Sequence, residues 1–189
     1  MPDFEDIQSA LSVAPVRPFQ AMLVRCVALV PLAGRGAPDY LFTSGRANRY
    51  NPDGVRCVYF SEDERTARAE YARRLGKSTR ALQPLGIYFA EVKLARVLDL
   101  ADEQARETLG LSAKDLSAAW QRAGKPTRGQ LLGLAVSEQT ELAAIRFPSD
   151  AARVAGFAGF NVVIFEDSLR RPDFVRILGP TKKPLQEWP

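Results

Sequence analysis

Apolar positions along the chain fall into short runs of two kinds. Met22 to Leu29 (MLVRCVAL) is apolar on both faces and predicts a central strand, interrupted only by Arg25. Val55 to Phe60 predicts a second strand, with Cys57 and Tyr59 on one face and Val58 and Phe60 on the other. Ser61 and Glu64 have the spacing of a capping box, which predicts a helix start there. In that helix Ala67, Tyr71 and Leu75 recur at helical spacing and predict the buried face, with Glu70 at its edge. Leu85 to Leu100 alternates partly and predicts one or two strands. Ala101 to Leu109 and Ser112 to Arg122 predict short helices, and Thr127 a cap for a helix over Arg128 to Ser137. Strands are predicted at Leu142 to Phe147, at Phe160 to Glu166 (β-branched and central) and at Phe174 to Leu178.

Between these runs, Ser44 to Gly54 is a polar loop ending in the turn Asn51-Pro52-Asp53-Gly54. Pro31 to Asp39, Lys77 to Pro84 and Ala151 to Gly159 read as loops, and Gly124 to Thr127 as a linker. Residues 1–20 read as a packed arm with a short helix over Asp3 to Ser12, and residues 179–189 as a tail without periodicity. There is no repeat and no low-complexity tract. The strand and helix order predicts one α/β domain spanning residues 1–189.

Composition narrows the chemistry. The 46% hydrophobic and 25% charged content is that of a soluble globular protein. A net charge of +4 suits an anionic small ligand as well as a nucleic acid. The acidic start MPDFEDIQ does not read as a signal peptide, and Arg25 and Pro31 break the longest apolar run, so no membrane span is expected. Cys26 and Cys57 lie in apolar runs and are expected to be buried free thiols in a reducing compartment, the cytoplasm. There is no histidine. That removes Ser-His-Asp and Cys-His catalysis and imidazole metal sites, so chemistry rests on Glu, Asp, Arg, Tyr, Ser or Lys.

Within those types two positions stand out. Arg25 lies in a strand read as buried, where a charge needs a partner: a salt bridge, or an anion held bidentately. Glu70 pairs with Arg73 or Arg74 along its helix, or faces a site. Arg46 and Arg56 read as exposed basic residues, and Arg49 sits in the turn.

Arg49-Tyr50-Asn51-Pro52 followed by Gly54 resembles the Gly-Arg-Trp-Asn-Pro…Gly turn of the RES domain. Arg25 lies in an N-terminal strand as in that family. Val58-Tyr59-Phe60 is similar to its next strand, Ala69-Glu70 to its following helix, Arg146-Phe147-Pro148-Ser149 to its late Pro-Ser segment, and Asn161 to Phe165 to the strand after it. The likeness covers residues 22–168. The arginine, glutamate and serine that name the family map onto Arg25, Glu70 and Ser149. Asn48 stands for the usual glycine before Arg49, Tyr50 for the usual tryptophan, and Glu70 lacks the common aliphatic neighbours.

The resemblance implies an ADP-ribosyltransferase-like split mixed β-sheet with flanking helices. It implies the toxin half of a bacterial toxin–antitoxin pair that consumes NAD, restrained by an Xre-type antitoxin, with nucleic acid met only through that partner and homo-oligomers formed through the complex. Cleaving the nicotinamide–ribose bond passes through an oxocarbenium-like state that needs a carboxylate and no metal. On that reading Glu70 serves the ribose and its cation, Arg25 the phosphate or ribose, and Tyr59 the nicotinamide. Arg49, Tyr50, Asn51 and Ser149 bind substrate, with Arg49 a second phosphate clamp or a brace for its loop. Two other functions fit the same residues: ADP-ribosyl transfer to a protein, and an inert module that binds NAD or a protein. The cationic rim of Arg46, Arg49 and Arg56 suggests that an antitoxin competes with NAD at Arg25 and Arg49.

Overall fold

One long strand, β3 (Leu85–Asp99), joins the two halves of the sheet in this computed structural model. The structure describes residues 4–28, 45–76, 85–117, 120, 124–138, 141–179 and 181–189. The expected loops at Pro31 to Asp39 and Lys77 to Pro84 lie outside the described residues. Along one edge β3 pairs antiparallel with β1 (Val16–Ala28) from Val16↔Leu98 to Ala28↔Leu85. Its other edge is shared. Residues 89–93 pair with β6 (Phe174–Leu178), and Val97 to Asp99 pair in parallel with β4 (Ala144–Pro148). β4 leads to β5 (Phe160–Phe165) and then to β2 (Cys57–Ser61), while β7 (Pro184–Trp188) adds to β6. β2 meets β1 at a single pair, Val24↔Ser61. The sheet is thus mixed and split, its halves sharing β3 and meeting again at that pair.

Period-two burial explains the layers. Val58, Phe60, Val162 and Ile164 on one half pack with Leu23, Ala90, Val92, Val175 and Ile177 on the other. The opposite face of β2, β5 and β4 (Cys57, Val163, Phe165, Ile145, Phe147) packs with α1 (Phe4–Val13), α3 (Glu103–Thr108) and α5 (Arg128–Glu138). The expected α/β domain with a split mixed sheet and flanking helices is what the chain forms.

Several local expectations are corrected. β1 begins six residues earlier than Met22, inside the expected arm, because Pro18 sits at a register shift between Arg17 and Phe19 that spares the missing N–H. It is not buried on both faces: Met22 is 47% exposed. The helix after β2, α2 (Glu64–Leu75), starts at Asp63, not at a Ser61–Glu64 box. The Asp63 carboxylate accepts from Thr66 N–H (2.8 Å) and Thr66 Oγ1 (2.7 Å). Its buried residues are Thr66, Ala67, Ala69 and Ala72, whereas Leu75 is exposed. Between Ala151 and Gly159, expected as loop, a short helix α6 (Asp150–Val154) forms, capped by Ser149. The tail carries β7. Leu85 to Leu100 is one strand, and Thr127 does cap α5, in a reciprocal pair with Gln130. Ser112 and Asp115 form a capping box for a single turn, α4 (Ala113–Leu116).

Candidate functional site

Three groups of side chains meet around β2. The first is the loop 45–55. Gly45 and Gly54 both have positive φ, and Gly54 N–H donates to Gly45 O at 2.7 Å, closing the loop. Asn51 is fully buried inside it. Its Nδ2 donates to Arg46 O (2.9 Å), and its Oδ1 accepts from Tyr59 Oη (3.0 Å), which in turn accepts from Tyr50 N–H (3.0 Å). Tyr50 is buried, its ring 4.5 Å from that of Phe147.

Helix α5 lies directly against this loop because two of its residues have no side chain. A Cβ on Gly133 would stand 1.5 Å from Tyr50 O, and one on Gly129 2.9 Å from Arg49 O. Gln130 Nε2 donates to Asn48 O (3.0 Å), and Arg49 Nη1 to Leu116 O (2.6 Å). Burial pushes the hydroxyls of both Tyr50 and Tyr59 well above the usual phenol range. Asn51 and Tyr50 therefore hold the loop together, Arg49 braces it, and the half-buried Tyr59 ring borders it.

The second group holds Glu70. Its Oε1 accepts from Ser149 Oγ and from Asn161 Nδ2, each at 2.7 Å. Both donors are themselves oriented. Ser149 Oγ accepts from Ala152 N–H (3.0 Å) as the cap of α6, and Asn161 Oδ1 accepts from Ser61 Oγ (2.7 Å). The expected alternative, an ion pair along the helix, is absent: Arg73 pairs with Asp150.

The third group is Arg25. No ion pair forms with it among the described residues; its Nη1 donates to Tyr59 O at 3.1 Å. It is half-buried, and burial, with the guanidinium of Arg74 nearby, pushes it down to about 10, high enough to remain charged at neutral pH.

β2 therefore links all three groups. The Tyr59 hydroxyl fixes the loop, its carbonyl holds Arg25, and Ser61 orients the amide that holds Glu70. A neighbouring ion-pair cluster fastens the start of α2. Arg146 on β4 bonds Glu62 (2.5 Å) and the buried Asp99 (3.1 Å), which also pairs with Arg17. Of the sites expected from sequence, Glu70 and Ser149 touch directly, Arg25 meets the Tyr59 backbone, and Tyr59 meets Tyr50 and Asn51. Arg49 stands apart, on Leu116. Arg56 pairs with Glu166 at 2.9 Å, and Arg46 is exposed.

Asn161 and Ser61 were missed as site residues. Asn161 left a signal, being the one polar residue in the run FNVVIF. Among the described residues no group of three His, Cys, Asp or Glu is placed to hold a metal. A cavity of about 520 Å³ adjoins the loop, lined by Pro52, Asp53, Trp120, Lys125 and Gln130; neither Glu70 nor Arg25 lines it.

The molecule is thus a split-sheet α/β domain whose helix-borne carboxylate is clamped by a serine and an asparagine. A model of the RES domain matches residues 23–184, and the chain belongs to the RES domain family. Its fold is similar to that in the crystal structure of the M. tuberculosis MbcT–MbcA toxin–antitoxin complex. The likeness covers 93% of this chain and 90% of that one, with a TM-score of 0.65 and 18% identity. No curated protein matches the sequence. No described helix is long and apolar enough to cross a membrane.

Proposed function

We propose that the chain is the toxin of a toxin–antitoxin pair and acts by cleaving the nicotinamide–ribose bond of NAD. Family membership and the solved complex of similar fold support the first part. The second rests on one observation: a carboxylate fixed through a single oxygen by two 2.7 Å hydrogen bonds, with a guanidinium on the adjoining strand that meets no carboxylate among the described residues.

In that reaction the bond from ribose C1′ to the pyridinium nitrogen breaks, its electron pair stays on nitrogen, and nicotinamide leaves neutral. The ribose is left as an oxocarbenium ion. Ser149 and Asn161 set the Glu70 carboxylate so that its second oxygen faces the ribose and its developing positive charge. A pre-oriented anion favours this transition state over the ground state because it need not reorganise as charge appears. Arg25 takes the diphosphate, and the half-buried Tyr59 ring borders the nicotinamide. Water or inorganic phosphate then attacks C1′. ADP-ribosyl transfer to a protein breaks the same bond and differs only in the acceptor. An Xre-type antitoxin, supplying an acidic group to Arg25, would exclude NAD.

The test is to incubate purified protein with NAD, with and without phosphate, and to identify products by mass. Free ADP-ribose or its phosphate is expected, and Glu70→Gln should lower turnover about 100-fold or more with an unchanged melting temperature. Label on a protein would move the assignment to transferase. Intact NAD after prolonged incubation with folded protein would leave the inert binding module.

A further inference from the structure

Helix α2 carries four arginines in its twelve residues, and three of them are satisfied. Arg65 lies over the Phe157 ring (3.8 Å), Arg68 pairs with Glu64 (2.6 Å), and Arg73 pairs with Asp150. Arg74 has no ion pair or hydrogen bond among the described residues. Its place in the helix is specific. It follows Glu70 by four residues and the buried Ala67 by seven, so all three share one face, with Arg74 one turn beyond the carboxylate. α2 packs on β1, the strand of Arg25. Arg25 in turn gives Nη1 to a backbone carbonyl and meets no carboxylate among the described residues.

Two neighbouring guanidiniums without a counter-charge repel each other. The mutual repulsion, after burial, helps to lower the Arg25 pKa. A half-buried charge set beside an exposed like charge costs stability, and a bound anion removes that cost. A basic residue in the last turn also complements the helix dipole. Arg73 already does so while ion-paired, so the dipole does not account for an unpaired second arginine beside Arg25.

We infer that Arg74 and Arg25 form a two-guanidinium clamp for a diphosphate, one helical turn from Glu70. The inference rests on the proposed reading of Glu70 as the group that meets the ribose. In a dinucleotide the diphosphate hangs from that same ribose through its 5′ oxygen, a few ångströms from the reacting carbon. One turn of helix, about 5.4 Å, spans such an offset. Guanidinium suits the role because its planar donors match phosphate oxygens in pairs.

The experiment titrates the full chain with ADP-ribose by calorimetry, with adenosine and inorganic phosphate as separate probes. Arg74→Gln should weaken ADP-ribose binding on the order of tenfold or more, reduce its salt dependence, and leave adenosine binding unchanged, without lowering the melting temperature. Arg74→Lys should recover part of the affinity. Equal ADP-ribose affinity in wild type and Arg74→Gln would overturn the inference. So would loss of phosphate-stimulated NAD turnover in Arg74→Gln with ADP-ribose affinity intact, because the site would then take free phosphate. Wild-type protein that binds no ADP-ribose would overturn the NAD reading itself, and this inference with it.

Discussion

Replacing Gly133 by alanine tests whether contact with α5 builds the loop that carries Arg49, Tyr50 and Asn51. The added Cβ would start 1.5 Å from Tyr50 O and 2.5 Å from Tyr50 C. Ordinary contact begins near 3.4 Å, so loop and helix must separate by roughly 2 Å. Neither side yields easily, since one is helix backbone and the other is a loop tied through the buried Asn51. Overpacking of this kind costs about 1–3 kcal/mol. Separation also breaks the bonds from Gln130 to Asn48 and from Arg49 to Leu116, each worth about 0.5–1.5 kcal/mol. A total near 3 kcal/mol, against a urea slope of about 2 kcal/mol per molar, lowers the unfolding midpoint by about 1–2 M. Gly124→Ala is the control, since a Cβ there meets nothing within 4 Å. Equal midpoints for Gly133→Ala and Gly124→Ala would refute the argument.

Asn161→Asp removes a donor and sets a second carboxylate against Glu70 Oε1. The two acids then share a proton, so turnover at neutral pH should fall and the acidic limb of the pH–rate profile should move up by about one unit or more. An unmoved limb would remove Asn161 from the site. Stability in alkali follows from Tyr50 and Tyr59, whose folded pKa values are raised. Each therefore binds its proton more tightly when folded, and its contribution is complete below pH 10 and declines above it, by up to about 1.4 kcal/mol per pH unit. Arg25, lowered to about 10, opposes one of them over the same window. Net stability should fall by about 1.4 kcal/mol per unit above pH 10, and Tyr50→Phe should flatten that fall, read by urea midpoints across pH 9–11. Since the Tyr50 hydroxyl has no partner among the described residues, that variant should cost little at neutral pH.

The strands were legible because their signal is local. Runs such as Cys57 to Phe60 and Phe160 to Phe165 carry their burial in their own side chains. What failed was set by distant neighbours. Ser61 and Glu64 have capping-box spacing, but Ser61 is drawn into the sheet by Asn161, a hundred residues away in sequence, and Asp63 takes the cap. Leu75 has the spacing of a buried residue and is exposed at the helix end. Arg25, Glu70 and Ser149 stood out through the family pattern, whereas Asn161 gained meaning only when its strand was placed beside β2. Tyr50 and Asn51, read as ligands for a substrate, are consumed in building their loop.

The hydrogen bonds that set Glu70 also decide when during synthesis the site exists. Its partners lie 79 and 91 residues downstream. At roughly 5–20 residues per second, a ribosome adds those residues about 4–18 s after Glu70. Until then α2 carries an unanchored carboxylate, and β2 lacks β5, its hydrogen-bonded neighbour. A fragment ending before Ser149 holds Arg25, Tyr59 and Glu70 in sequence but not in position. Termination before Asn161 therefore yields polypeptides without an assembled site, and on the proposed function a restraining partner need recognise only chains synthesised past that residue.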